Sequence, residues 1–219
     1  MFQTILFDLD GTITDPGVGI TNSVMYALRE QGIEAPPREA LYPFIGPPLR
    51  DSFDRYYHIT GERFDKALAD YRVYYLSKGI TEAELIPGIG ELLKTLKAEG
   101  KTLIVATGKP QTMAEDVLKA FGVREYFDFV SGPDLSETVN IKKSDAISYA
   151  LQSLGITDKS TCVMVGDRDN DILGAKGAGV SSVGVLWGYG DREELIRAGA
   201  DRIVETPEEL YRVIRSTSV

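Results

Sequence analysis

Apolar positions fall along this chain in two rhythms. From about Pro87 onward, short continuous apolar runs alternate with stretches in which apolar residues recur every three or four positions. Lys101–Ala106, Phe127–Val130, Thr161–Val165, Ser182–Leu186 and Arg202–Val204 have the length and composition of buried strands. Between them, Ile89–Ala98 places Ile89, Leu92, Leu93 and Leu96 at i, i+3, i+4 and i+7, one face of a helix. Thr112–Phe121, Lys143–Leu154, Asp169–Ala178 and Glu193–Ala198 read in the same way. Strands alternating with helices imply a parallel sheet covered on both faces. Thr4–Leu9 adds one more apolar strand at the start of the chain.

The stretch from about Asp15 to Ile86 has another texture. It is rich in Tyr, Arg and Glu, and Pro16, Pro36, Pro37, Pro43, Pro47, Pro48 and Gly61 break it up. Val18–Gln31, Pro48–Tyr57 and Arg63–Ser77 read as helices, and no strand pattern is seen. The expected organisation is an α/β core built from residues 1–14 and 87–219. A helical insert, residues 15–86, interrupts it after the first strand, and Pro87–Gly88 marks the return.

Composition narrows the partners. The 219 residues carry 24 Lys and Arg against 33 Asp and Glu, a formal charge of −9. Such a chain does not attract nucleic acid or an anionic membrane through its overall field. An anionic ligand must be held locally, by backbone N–H groups, a lysine or a metal ion. Cys162 is the one cysteine, so no internal disulfide forms, as suits a reducing compartment. No apolar run approaches the ~20 residues of a membrane span, and the N-terminus enters a strand without a basic leader. The expected location is the cytoplasm, with no membrane or nucleic-acid partner and a monomeric or dimeric state.

The strongest chemical signal is Asp8-Leu9-Asp10-Gly11-Thr12, at the end of the first strand. Alternate strand residues share a face, so Asp8 and Asp10 point the same way if the strand continues. Two adjacent carboxylates repel, and a divalent cation is the natural means of offsetting that. Gly11 allows a tight turn whose N–H groups can face an anion. The bland alternative is a solvated acidic turn. Gly166-Asp167-Arg168-Asp169-Asn170-Asp171 also follows an apolar strand directly. A parallel sheet gathers such strand ends at one edge, where ligands bind at a switch in strand order. Asp8, Asp10 and Asp167 would converge there, and oxygen ligands suit Mg²⁺. Asp171, one helical turn after Asp167, would orient a ligand from behind. Taken alone, Asp167 to Asp171 also suits acidic capping of a helix.

Two further positions suit a phosphate. Thr107-Gly108-Lys109 follows the strand Lys101–Ala106 and offers a hydroxyl and a backbone N–H at a strand-to-helix turn. Plain helix capping by Thr107 is the competing account. Lys143 opens a helix, where it opposes the helix dipole unless an anion or a carboxylate lies near. Lys142 is the neighbouring candidate.

These four motifs, in this order and at these strand ends, resemble the haloacid dehalogenase superfamily along the whole chain. The resemblance implies a Rossmann-like, doubly wound parallel sheet with a helical cap inserted after the first strand. It also implies roles. Asp8 would be the nucleophile. Asp10 would protonate the leaving group and then activate water, and its backbone carbonyl would bind the metal. Thr107 and Lys143 would hold phosphoryl oxygens, and Asp167 would complete the Mg²⁺ site. Ile45–Leu49, Gly166–Arg168 and Gly184–Gly190 are similar to the phosphoglycolate phosphatase-like branch, which includes 5′-nucleotidases. Gly108 stands where that branch often has Asn, so only its backbone N–H can serve. The expected reaction is hydrolysis of a small phosphorylated metabolite, phosphoglycolate-like or a nucleoside monophosphate, through an aspartyl-phosphate.

Rival readings are weaker on the residues. Cys162 and Arg168 share the spacing of cysteine phosphatases, but an apolar strand between them cannot form a ring of free N–H groups. His58 is the only histidine, so a histidine-based triad is absent. Phosphosugar mutases of the superfamily place a cap arginine three residues after a glycine like Gly46, and here Leu49 stands there. Arg50, next to it, is the candidate cap contact with substrate. A mutase, or a non-catalytic binding protein on the same fold, is the alternative reading.

Overall fold

The computed structural model describes residues 1–134 and 142–216. The first apolar run forms strand β1 (Thr4–Phe7). A two-residue strand, β2 (Thr14–Asp15), leads into helices α1 (Gly17–Glu30), α2 (Leu49–Tyr57) and α3 (Gly61–Tyr74), with a 3-10 segment Arg38–Phe44 before α2. The last turn of α3 widens into a π-helix, Tyr75–Gly79. The chain returns through β3 (Glu84–Leu85), and β2 and β3 form a small sheet of their own. Helices and strands then alternate: α4 (Ile89–Ala98), β4 (Thr102–Ala106), α5 (Gln111–Ala120), β5 (Phe129–Ser131), α6 (Lys143–Ser153), β6 (Cys162–Gly166), α7 (Asp169–Ala178), β7 (Ser181–Val185), α8 (Arg192–Ala198), β8 (Arg202–Val204) and α9 (Pro207–Arg215).

The six longer strands make one parallel sheet in the order β5-β4-β1-β6-β7-β8. Leu6, Ile104 and Met164 pack with Ile147, Leu151, Ala175 and Ala178 of α6 and α7 on one face. Their strand neighbours Ile5, Phe7, Leu103, Val105, Val163 and Val165 are buried as completely, so the opposite face is covered too. That two-sided burial is why these strands read as unbroken apolar runs. The α/β, doubly wound parallel class expected from the alternation is the class observed.

The described residues divide into two units, residues 1–14 with 85–219, and residues 15–84. The second is all-helical apart from the strand ends at its margins. Its interior is aromatic: Phe44, Phe53 and Phe64 meet edge to face, and Tyr71 stacks on Tyr75 with centroids 5.6 Å apart. A Cβ on Gly19 would come within 2.1 Å of the Gly79 carbonyl oxygen, so glycine lets α1 run against the π turn. His58 is an exposed left-handed cap ending α2.

Three features lie outside the sequence expectations. The short pair β2 and β3 falls at the margins of a stretch read without strands, two residues each being too few to show an alternation. The last helix, α9, follows the final expected strand. Thr206 accepts the Glu209 N–H and Pro207 sits in the first turn, while Leu210 and Ile214, four apart, are buried. The first strand also stops at Phe7 instead of continuing to Leu9. The N–H groups of Thr12, Ile13 and Thr14 all turn onto the Leu9 carbonyl, at 3.3, 2.9 and 3.0 Å. That closed turn ends the alternation on which a shared direction for Asp8 and Asp10 depended.

Candidate active site

Register brings the motifs together. Phe7 pairs with Val105 of β4 on one side and Val165 of β6 on the other. Asp8, Thr107 and Asp167, each just beyond its strand, therefore emerge at one edge of the sheet. The chain builds outward from β1 through β4 to β5, then crosses back to β6, so this edge lies at the switch in strand order.

The side chains meet in two ion-paired groups. Lys143 Nζ lies 2.8 Å from Asp8 Oδ1 and 2.8 Å from Asp171 Oδ1, and donates to the Ala106 carbonyl at 3.2 Å. Of the adjacent lysines, Lys143 is the one turned inward, and Lys142 is exposed. Asp8, Asp167 and Asp171 are all buried and offer oxygens within 4.8 Å of one another, a group that can hold a divalent metal ion. Asp10 makes a separate ion pair. Its Oδ2 pairs with Lys109 Nζ at 2.6 Å, and its buried Oδ1 makes no hydrogen bond among the described residues.

Asp167 is fixed from three sides. The Thr12 hydroxyl donates to Oδ1 at 3.3 Å and the Tyr189 N–H donates to Oδ2 at 2.8 Å. Gly11 has φ +81, and a Cβ there would fall 2.3 Å from Asp167 Oδ2. The expected turn at Gly11 is thus also a close approach to a carboxylate. A Cβ on Gly188 would come 2.4 Å from the same oxygen. The loop after β7 therefore supports the site, and Trp187 Nε1 ties it to the Thr12 carbonyl at 3.1 Å. Its glycine-rich run was visible in the sequence, but nothing there gave it this task. Asp171 does two things: Oδ2 accepts the Arg168 N–H at 3.1 Å, as a capping residue does, while Oδ1 meets Lys143. Arg168 is held away by Glu194, which also accepts the Asp169 N–H.

Thr107 is buried, and its hydroxyl oxygen accepts the Lys109 N–H at 3.1 Å. Gly108, between them, is exposed. Arg50 belongs to the helical unit, where its guanidinium lies 4.2 Å above the Phe64 ring and 3.9 Å from Asp65. Cys162 is a fully buried strand residue whose thiol burial pushes up, so it is no nucleophile.

The electrostatics are strained toward cation binding. Four carboxylates, Asp8, Asp10, Asp167 and Asp171, share this edge with two ammonium groups, Lys109 and Lys143. Fully ionised, the set would carry two more negative charges than positive ones in a buried setting, which burial opposes. Burial, then Asp171 and Asp8, push Asp167 up to about 8. Burial and Asp8 push Asp171 up to about 6, against the pull of Lys143. Burial also raises Asp10, although Lys109 draws it back. For Lys143 burial favours the neutral form, but Asp171 and Asp8 outweigh it and hold the ammonium charged. The donors are hard carboxylate oxygens, the set that Mg²⁺-type ions take.

The model of the haloacid dehalogenase-like hydrolases matches residues 5–185. The chain belongs to this family. Among haloacid dehalogenase-like proteins, a 5′-nucleotidase of Pseudomonas aeruginosa is 40% identical over 194 residues, covering 89% of this chain and 87% of that one. A tyrosine-protein kinase, PtkA of Mycobacterium tuberculosis, is 35% identical over 86% of this chain, which spans 63% of that longer protein. A solved structure described as a predicted phosphatase from Clostridium acetobutylicum superposes with a TM-score of 0.93 at 40% identity, covering 98% of both chains. This family member is a hydrolase acting on phosphoric monoesters.

Proposed function

We propose that the chain is a Mg²⁺-dependent phosphatase that hydrolyses a small phosphomonoester, phosphoglycolate-like or a nucleoside monophosphate, through an aspartyl-phosphate on Asp8. The observation that carries the reading is the buried group Asp8, Asp167 and Asp171 around Lys143, with its surplus of negative charge. Asp8, Asp167 and the Asp10 carbonyl would hold the cation, which would neutralise charge on the phosphoryl oxygens. A carboxylate of Asp8 attacks phosphorus, and the ester oxygen departs with a proton from Asp10. Water then attacks the acyl phosphate and returns a proton to Asp10, releasing phosphate and restoring Asp8. Lys143 and Thr107 hold the phosphoryl oxygens through both steps, since positioning and charge neutralisation carry this chemistry. The 40% identical 5′-nucleotidase favours a nucleoside monophosphate among the candidates. The lone, buried Cys162 supports the cytoplasmic setting.

The test is phosphate release from glycolate, nucleoside and sugar monophosphates, with and without Mg²⁺, by wild type and Asp8→Asn. Turnover that needs Mg²⁺ and falls by more than about 10³-fold in Asp8→Asn is expected, as for loss of a nucleophile. A wild type that hydrolyses none of them, or that instead moves phosphate from a nucleoside triphosphate to tyrosine, would overturn the reading.

A further inference from the structure

Lys109 has no part in the reaction just given. Its ammonium nevertheless lies 2.6 Å from Asp10 Oδ2, with the two side chains only 6% and 13% exposed. Desolvation cancels most of the attraction in such a pair, so stability is a poor account of it.

The backbone around Lys109 is braced. The Thr107 N–H donates to the Ser131 carbonyl at 2.9 Å, and the Gln111 N–H donates to the Pro133 carbonyl at 2.9 Å. The Lys109 N–H is spent on the Thr107 hydroxyl. Gly132 presses so close that a Cβ there would stand 2.4 Å from the Lys109 carbonyl oxygen. Both backbones are braced, that of Asp10 by the turn closed on the Leu9 carbonyl, so the ion pair joins two fixed loops and sets how the carboxylate is turned. An ammonium group only donates hydrogen bonds. While it grips Oδ2, a proton carried by Asp10 must ride on Oδ1, the oxygen that makes no other hydrogen bond among the described residues.

We propose that Lys109 is a positioning residue that turns Oδ1 of Asp10 toward the reacting oxygens. The proposal rests on the role given to Asp10 above. In the first step Oδ1 gives its proton to the ester oxygen as the P–O bond breaks, and Asp10 becomes a carboxylate. In the second, Oδ1 takes a proton from the water whose oxygen bonds to phosphorus as the bond to Asp8 breaks.

The experiment compares wild type, Lys109→Met and Lys109→Arg on the best alkyl monoester and on p-nitrophenyl phosphate, whose phenolate leaves without a proton. For Lys109→Met on the alkyl ester, kcat is expected to fall about 10²-fold, the scale of general acid catalysis, with KM little changed. On p-nitrophenyl phosphate the same variant is expected to give a rapid burst of nitrophenolate and a slow steady state, because only the water step needs Asp10. Lys109→Arg recovers part of the loss. In an Asp10→Asn background, Lys109→Met costs nothing further. That double variant leaves neither member of the pair charged, so, measured beside an Asp10→Asn protein whose melting curve shows it folded, it still decides the matter if Lys109→Met alone fails to fold. Equal losses on both substrates with a raised KM, an unchanged kcat, or a further loss in the Asp10→Asn background would overturn the proposal. A wild type inactive on every monoester would sink the phosphatase reading instead, before any variant is compared.

Discussion

At the scale of single residues, burial decides how the acidic groups behave. Asp167 is pushed up to about 8 and Asp171 to about 6, while in the unfolded chain both return to the ordinary carboxylate range. As pH rises through that interval, the unfolded chain gives up protons that the folded one keeps. Stability therefore falls with rising pH through this window. In the absence of metal, the melting temperature is expected to drop between about pH 5 and pH 8, and Mg²⁺, displacing those protons, is expected to restore more at the upper value. Calorimetry at both pH values, with chelator or with Mg²⁺, checks this, and a flat profile in chelator would mean that the carboxylates ionise unhindered. Asp8 and Asp167 were legible as candidates because each closes an apolar strand, and Asp10 because it repeats the carboxylate two residues after Asp8. The attachment of Asp10 to Lys109 was not, because it depends on two loops folding toward each other.

At the scale of elements, small residues set how closely the pieces of the site approach. Gly174 of α7 faces α6, and a Cβ there would stand 2.6 Å from Lys143 Cβ and Cγ. Gly174→Ala is expected to cost about 1–3 kcal/mol, as overpacking does, and to displace Lys143. Phosphate release should fall at least about tenfold along with it, since misplacement of an ångström is enough for losses of that order. Gly90→Ala in α4 is the control, because its nearest contact would be an ordinary 3.4 Å from Leu85. Relief of the glycine penalty makes that variant neutral or stabilising by about 0.5–1 kcal/mol. Paired melting curves and phosphate assays separate the two. Helix periodicity placed α4, α6 and α7 within a few residues. α9 was not expected, although its Thr206-Pro207 start and its Leu210 and Ile214 spacing are the usual marks of a capped, one-sided helix.

At the scale of the whole molecule, the charge of −9 opposes the approach of an anionic substrate. Attraction comes from local groups, and the screening length is about 8 Å at physiological salt. With Mg²⁺ saturating, kcat/KM is expected to stay level or rise as sodium chloride goes from about 0.02 to 0.2 M, because screening then removes repulsion. Initial rates at low substrate across that series are the measurement, and a steep fall would mean that a positive field steers the substrate.

The sequence by itself determined the fold class, the interruption by a helical unit, and the candidate acidic and phosphate-contacting residues. It could do so because buried parallel strands, amphipathic helices and the loops beyond strand ends all leave local patterns. Only the tertiary structure decided which side chains meet. It put Asp171 beside Asp8 and Asp167, turned Asp10 onto Lys109, chose Lys143 over Lys142, and brought the Gly188 loop against Asp167. These contacts join residues far apart in the chain through strand register, loop geometry and glycine-sized gaps, and no local pattern encodes such distances.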